Sequence, residues 1–435
     1  MKVLHLATAD GGEGGAAKAA HALHRALLDA QYDSRMLVRR KLSDDATVRA
    51  VRPQTSWGSR RRRVRERVRP PRPLPEATAT FNFDLQESFD ERSLFEDERP
   101  DVIVVHRITR FLTIRQLARV HCHHRVPLVW LLHDQFPVTG GCHFSLDCDG
   151  YTRSCGSCPQ LRSSEPDDET HELWLRKQHE LASLPIAFVG QSRDALGWVE
   201  RSSLFAGRRA ELIRQPIDVD AFRPHDRRAA RDVLRIPVDA RVVMLGAGDL
   251  RVPRKGTKYA VDALRLLDDD ARRDLWVLAV GKGGGTLADD TGLPTRWLGQ
   301  LHDDLALALA YAAADVFVSP SLADSGPLMV AESLLCGRPV VAFALGLAAD
   351  LIVDDTLGRL APPGDARVLA DGIAAVLRAD APGGEEVRRS VALDCSPDRV
   401  AAAYERLFRS LTPAVEAMRL PPRRAGAVRP TPARR

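Results

Sequence analysis

No stretch of this 435-residue chain approaches the roughly 20 consecutive apolar residues that a helix needs to cross a bilayer. A helical membrane protein is thereby excluded. The opening run, MKVLHLATADGG, has too short an apolar core for a secretory signal and fits a first strand better. Cysteines are few and unevenly numbered: the seven present, with no export signal, argue for a reducing cytoplasm. Charge of one sign is also scarce overall, the formal net charge being +5. It is concentrated in Arg60–Arg69 (RRRRVRERVR) and in a basic, proline-rich tail, Pro421–Arg435. The first of these runs lacks interleaved aromatics on which bases could stack, so nucleic acid is not an expected partner. A solvated loop is the plain reading of Arg60–Arg72. The alternative is a foot on an anionic membrane, worth about 1 kcal/mol per basic residue.

What is present is enough chain for two domains, each with a full core. The most informative stretch is Ser319–Phe343, SPSLADSGPLMVAESLLCGRPVVAF. Asp315–Ser319 (DVFVS) reads as a buried strand, Pro320–Pro327 as a polar turn, and Leu328–Cys336 as a helix stopped by Gly337. Pro339–Phe343 is then the next buried strand. A loop that opens onto a helix N-terminus offers free N–H groups and a favourable dipole to an anion. Glu332, one turn into the helix and eight residues after Asp324, is placed to accept hydrogen bonds from sugar hydroxyls. Phosphate beside sugar points to a nucleotide or nucleotide-sugar.

The first half repeats the theme. Lys2–Ala7 is a strand, Asp10–Gly15 (DGGEGG) a glycine-rich loop, and Ala16–Leu28 a helix, the opening of a Rossmann-like unit. That loop alone does not decide between a tight turn and ligand contact. Asp101–His106 and Pro127–His133 are buried strands, and the second ends in His133-Asp134, where α/β sheets place ligands. Ile186–Ser192 and Arg241–Gly246 are further strands, the latter followed by the basic loop Ala247–Gly256. Between His133 and Ile186, Cys142, Cys148, Cys155 and Cys158 are crowded into one loop. Cys155-Gly-Ser-Cys158 is a CxxC knuckle that suits two ligands of a structural zinc, with Cys142 and Cys148 as the other pair. Disulfides and free thiols remain the alternatives, and His123 and His143 are spare ligand candidates.

The segment from Asp324 through Glu332 to Cys336–Val341 resembles the donor-binding signature of the retaining glycosyltransferases of family four, which have the GT-B fold. The cysteine-bearing run HDQFPVTGGCHFSLDCDGYTRSCGSCPQL resembles a subgroup of that family met in colanic-acid and other exopolysaccharide pathways. The resemblance implies an α/β protein of GT-B type, two facing Rossmann-like domains with parallel sheets and a cleft between them. It puts the acceptor-side domain at 1–212, with a basic insert at about 57–75 and the Cys-rich loop at 140–160. The nucleotide-sugar domain follows at 213–396, then a closing helix at 397–412 that crosses back, and a disordered basic tail at 413–435.

By the same resemblance, Gly14 and Gly15 approach the donor, and His133 contacts the transferred sugar or its phosphate. Arg254, or failing it Arg251, and Lys255 grip the pyrophosphate together with the N–H groups around Gly326, Leu328 and Met329. Asp324 touches the sugar and Glu332 the ribose. Two cations on the leaving pyrophosphate remove the need for a divalent metal. The expected activity is transfer with retention from a nucleotide-sugar donor to a saccharide or lipid-linked acceptor. The expected location is cytoplasmic, with peripheral membrane contact. The chain departs from the pattern at Asp249, where a glycine-linked arginine is usual, at Asp324, where Glu is commoner, and at Gly346-Leu347, usually a Gly-Gly turn. Those departures keep open a binding protein without turnover, and the cysteine loop keeps open a zinc-stapled interaction module. The acceptor, on which the sequence is silent, could equally be a small natural product.

Overall fold

Short, unbroken apolar runs set the architecture. Val102–Val105 (VIVV), Leu128–Leu131 (LVWL), Val316–Ser319 (VFVS) and Val340–Phe343 (VVAF) are buried along their whole length. A strand apolar on both faces needs cover on both, the condition of a parallel sheet between layers of helices. Two such sheets form. The computed structural model describes residues 1–12, 14–52, 81–84, 89–379 and 384–419. The basic run 60–72 and the tail from residue 420 lie outside the described residues.

The first sheet contains β1 (Lys2–Ala9), β2 (Asp33–Arg40), β3 (Val48–Ala50), β4 (Val102–Val105), β5 (Leu128–Leu131), β6 (Ile186–Gly190) and β7 (Ala210–Leu212), in the order 3-2-1-4-5-6-7. The second contains β8 (Arg241–Asp249), β9 (Leu275–Lys282), β10 (Thr295–Trp297), β11 (Val316–Ser319), β12 (Val340–Phe343) and β13 (Gly358–Ala361), in the order 10-9-8-11-12-13. Every pairing within them is parallel. These are two Rossmann-like domains. In each, strand order reverses beside the first strand, between β1 and β4 and between β8 and β11. Ligands of open α/β sheets bind at the carboxyl ends of the strands at such a reversal.

The long helix Pro397–Arg419 packs Val400, Tyr404, Leu407 and Phe408 into the first domain's core, against Val3, Leu23 and Val104. Its last turns, in Ala414–Arg419 (AVEAMR), run past the limit expected at residue 412, because these residues favour helix. Edge strand β13 begins at Gly358. Gly358, at φ 137°, lies so close to β12 that a Cβ would sit 1.8 Å from the Val340 carbonyl. Gly346-Leu347 does not make a turn but starts the short helix Gly346–Leu351, whose Asp350 receives Arg214, two residues past β7, at 2.7 Å.

The core of the first domain is polar in one place. His5 on β1 and His106 just after β4 are both fully buried, and Nδ1 of His5 lies 2.9 Å from Nε2 of His106. His106 Nδ1 in turn lies 3.1 Å from Nε2 of His133, at the end of β5. His24 backs His5 at 5.5 Å between ring centroids, bonded to Ser34 and Thr47 at 2.8 and 2.7 Å. Burial drives the proton affinity of His5 and His106 well below the usual histidine range and takes His24 and His133 down to about 4. A lowered folded-state affinity means that the unfolded chain binds the extra protons first. Stability should therefore fall as pH drops from 6.5 towards 4. Denaturant melts at pH 7.5 and pH 5 would check this; equal midpoints at both would contradict the burial of these rings.

Candidate active site

The turn between β11 and the helix Leu328–Leu335 is fixed from both sides of the cleft. From its own domain, Arg254 donates to the Ala323 carbonyl at 3.0 Å, and Lys255 donates to the Asp324 carboxylate. From the first domain, Gln191 donates to the Ser325 hydroxyl at 3.0 Å and Ser192 to the Ser325 carbonyl at 2.8 Å. The Ser325 hydroxyl donates in turn to the His133 carbonyl at 2.9 Å. Asp324 is deeply buried. Burial alone would raise its proton affinity, but Lys255 and Arg254, the latter at 3.5 Å, outweigh it and keep the carboxylate ionised. Gly326 donates to the same carboxylate at 3.3 Å.

The basic loop reaches this turn through a tight bend. Gly256 holds φ 71°, and a Cβ there would sit 1.7 Å from the Pro320 carbonyl, so only glycine lets Arg254 and Lys255 come up against residues 320–324. Arg251 does not join them: it folds back onto Asp249 at 2.8 Å. Of the two arginines considered for this role, Arg254 is therefore the one that lines the cleft. Pro327 starts the helix Leu328–Leu335, and no side chain caps its first N–H groups. One turn on, Glu332 accepts from Tyr311 at 3.0 Å, with the Lys18 ammonium at 3.9 Å. Burial raises its proton affinity and Lys18 partly offsets this.

These groups face a cavity of about 1140 Å³ between the domains, lined by Gly14, Gly15, His133, Arg254, Lys255, Asp324, Gly326, Leu328, Met329 and Glu332. The ten residues singled out outside the cysteine loop are thus brought together. Several others that sequence reasoning passed over join them. Lys18, one turn into the first helix, crosses to Asp304 and Glu332 of the second domain. Asp134 is ionised and held down to about 2: burial would raise it, but a hydrogen bond from His143, the Arg107 charge and the Phe136 N–H at 3.0 Å outweigh that. Phe144 lies under the Arg254 guanidinium, 4.5 Å from ring centroid to carbon. Only Asp134 carried a local signal, as the residue after His133 at a strand end.

Cys142, Cys148, Cys155 and Cys158 are free thiols, and none lines the cavity. Among the described residues no group of three or more His, Cys, Asp or Glu side chains has the spacing of a metal site. The four sulfurs nevertheless lie near one another, so that burial and then the neighbouring thiols raise the proton affinity of Cys142, Cys155 and Cys158. The sulfurs also have local partners: Cys155 accepts from the Gly140 N–H at 3.2 Å and Cys148 from the Gly150 N–H at 3.4 Å. Burial pushes the Cys142 thiol up to about 12 and Cys155 to about 11, so both stay protonated. The spare ligands are elsewhere: His143 on Asp134, and His123 on the surface against Phe95. What holds the loop is Asp168, which accepts from the Cys158 N–H at 2.8 Å, and the fully buried Lys177, which donates to the Phe136 and Thr139 carbonyls.

Comparison with known proteins gives this geometry a context. Residues 241–379 match the family described as "Glycosyl transferases group 1". The D-inositol 3-phosphate glycosyltransferase of Mycolicibacterium paratuberculosis is 30% identical over 226 residues, 47% of this chain and 49% of that protein. The chain thus spans about half the length of the curated relatives it matches. Among solved structures, sucrose-phosphate synthase from Thermosynechococcus elongatus superposes with a TM-score of 0.66 at 20% identity, covering 95% of this chain and all of that one. HepE from Anabaena, in complex with UDP and glucose, superposes with a TM-score of 0.63 at 18% identity, covering 94% and 100%. At such identities these structures speak for the fold alone. Residues 241–379 are thus similar to the group 1 glycosyl transferases, and the two domains together have the GT-B fold.

Proposed function

We propose that the protein is a retaining glycosyltransferase that moves a sugar from a nucleotide-sugar donor to a saccharide or lipid-linked acceptor, without a divalent metal. The observation that carries this reading is the pairing, at one cleft, of two cations and an uncapped helix N-terminus with two buried carboxylates, Asp324 in the turn before the helix and Glu332 one turn into it. Donor pyrophosphate sits between Arg254, Lys255 and the N–H groups of Leu328 and Met329. Glu332 accepts from the ribose. Asp324, already ionised, accepts from a sugar hydroxyl while its charge holds Lys255 in place. His133 meets the sugar or its phosphate from the first domain, with the Gly14–Gly15 loop beside it. UDP is the first nucleotide to try, given the ligand of HepE.

Retention rests on the family resemblance, and the state of the carboxylates that line the cavity, each of which has a hydrogen-bond partner, favours a front-face route to it. Asp134 accepts from His143, Asp304 from Lys18, Asp324 from Lys255 and Glu332 from Tyr311. Asp10 accepts from the Leu42 and Ser43 N–H groups, and Asp303 caps Ala306. A double displacement needs a free carboxylate nucleophile; a front-face transfer does not. In the latter the bond from the anomeric carbon to the phosphate oxygen breaks, the acceptor oxygen bonds to that carbon on the same face, and the acceptor proton passes to the leaving phosphate. Arg254 and Lys255 stabilise the charge that the phosphate gains.

The acceptor class is less constrained. The inositol phosphate named for the curated relatives makes a polyol phosphate a fair first trial, beside a lipid-linked saccharide of an exopolysaccharide or cell-surface glycan pathway. Cytoplasmic placement, with the basic run 60–72 touching an anionic membrane, is part of the same proposal; no described helix is long and apolar enough to cross a membrane. Replacing Lys255 with Ala should lower turnover by about 10²- to 10³-fold, the usual cost of removing one group that stabilises developing charge. The release of nucleotide from donors in EDTA measures it, and unchanged turnover would remove Lys255 from the reaction. Glu332→Gln keeps an acceptor for Tyr311, so the fold should persist. Nucleotide affinity should weaken about tenfold through loss of a charge-assisted hydrogen bond to the ribose. Equal affinity in calorimetry would place the ribose elsewhere.

A further inference from the structure

His133 reaches the cleft with one nitrogen already committed. Its Nε2 is 3.1 Å from Nδ1 of His106, and Nε2 of His106 is 2.9 Å from Nδ1 of His5. A neutral imidazole carries one N–H and one lone pair. Burial keeps all three rings neutral near pH 7. Each contact therefore needs one proton, and both donors must point the same way along the row. Two arrangements satisfy this. In the first, His5 donates to His106, His106 donates to His133, and His133 keeps its own proton on Nδ1. In the second every donor is reversed, His133 Nδ1 is a bare lone pair, and the last N–H is on Nε2 of His5.

The buried end of the row decides between them. His5 Nε2 is buried and has no hydrogen-bond partner. The second arrangement would seal an N–H there with nothing to accept it; the first leaves only a lone pair. Orphaned buried N–H groups are the rarer of the two in folded proteins. We infer that His106 and His5 are positioning residues that fix His133 as its Nδ1–H tautomer. The cleft is thereby presented with a hydrogen-bond donor for a phosphate or hydroxyl oxygen. The identity of that oxygen rests on the proposed donor binding; the tautomer itself does not.

The test is long-range ¹H–¹⁵N NMR of the histidine-labelled full chain at pH 7.5, with the His133 signals assigned by their loss in His133→Asn. The wild type should show His133 protonated on Nδ1. His106→Gln should keep that pattern, because its amide can accept from His5 and donate to His133. His106→Leu should release His133 to the Nε2–H form that free neutral histidine prefers. It should also weaken UDP binding about fivefold, the worth of one hydrogen bond. A packing role alone would not distinguish Gln from Leu in tautomer. An Nε2–H tautomer in the wild type would overturn the inference, and that spectrum decides even if the Leu variant does not fold. An Nδ1–H wild type that binds no nucleotide would uphold the tautomer and count against the donor-binding reading instead.

Discussion

The grip on Ala323–Ser325 is the interaction on which the rest of the structure depends. Three successive residues are held at once by a lysine and an arginine of their own domain and by a glutamine and a serine of the other. A buried carboxylate at Asp324 is tolerable only because two cations face it; leaving a buried charge unpaired costs several kcal/mol. That pairing sets where Arg254 and Lys255 stand, and the Ser325 bonds set where the first domain stands relative to them. The helix that follows then aims its uncapped N-terminus into the gap. One loop thus fixes both the charges of the site and the width of the cleft.

A second constraint runs under the first domain. A row of imidazoles, His5, His106 and His133, connects the middle of a hydrophobic sheet with the cleft. Apolar side chains would pack that space at less cost, since each buried ring must be kept neutral and partnered. The cost concentrates where a strand end meets the cavity, a place where sites rather than cores are built. The neighbouring Asp134–His143 pair and the Phe144–Arg254 stack bring the cysteine-bearing loop to the same spot. Lys177 anchors that loop from beneath, through two backbone carbonyls.

Much of this was legible in the sequence, and the reasons are local. VIVV, LVWL, VFVS and VVAF read as strands because they are short apolar runs rich in β-branched and aromatic residues and bounded by turn signals. The glycine that stops the helix Leu328–Leu335, Gly337, is visible by type. The residues of the second domain's site were legible too, since Asp324, Gly326 and Glu332 lie within nine positions of one another on one strand–loop–helix unit. What was hidden required long-range pairing. His5 and His106 are about one hundred residues apart and look like ordinary core or strand-end histidines until β1 and β4 pair. Lys18 reads as a surface residue of an amphipathic helix until a second domain faces it. The cysteine spacing suggests a metal; the contacts that hold the loop, from its own backbone N–H groups and from buried Lys177, left no mark in the sequence.

The account stands or falls on whether the cleft's cations and helix N-terminus hold a nucleoside diphosphate unaided. Titrating UDP against uridine into the full chain by calorimetry, in EDTA, tests it most directly. The account predicts one UDP per chain in the absence of any divalent ion, binding weakened by added salt, and no comparable heat from uridine. UDP binding that appears only when magnesium or manganese is supplied would contradict it, as would uridine binding as tightly as UDP.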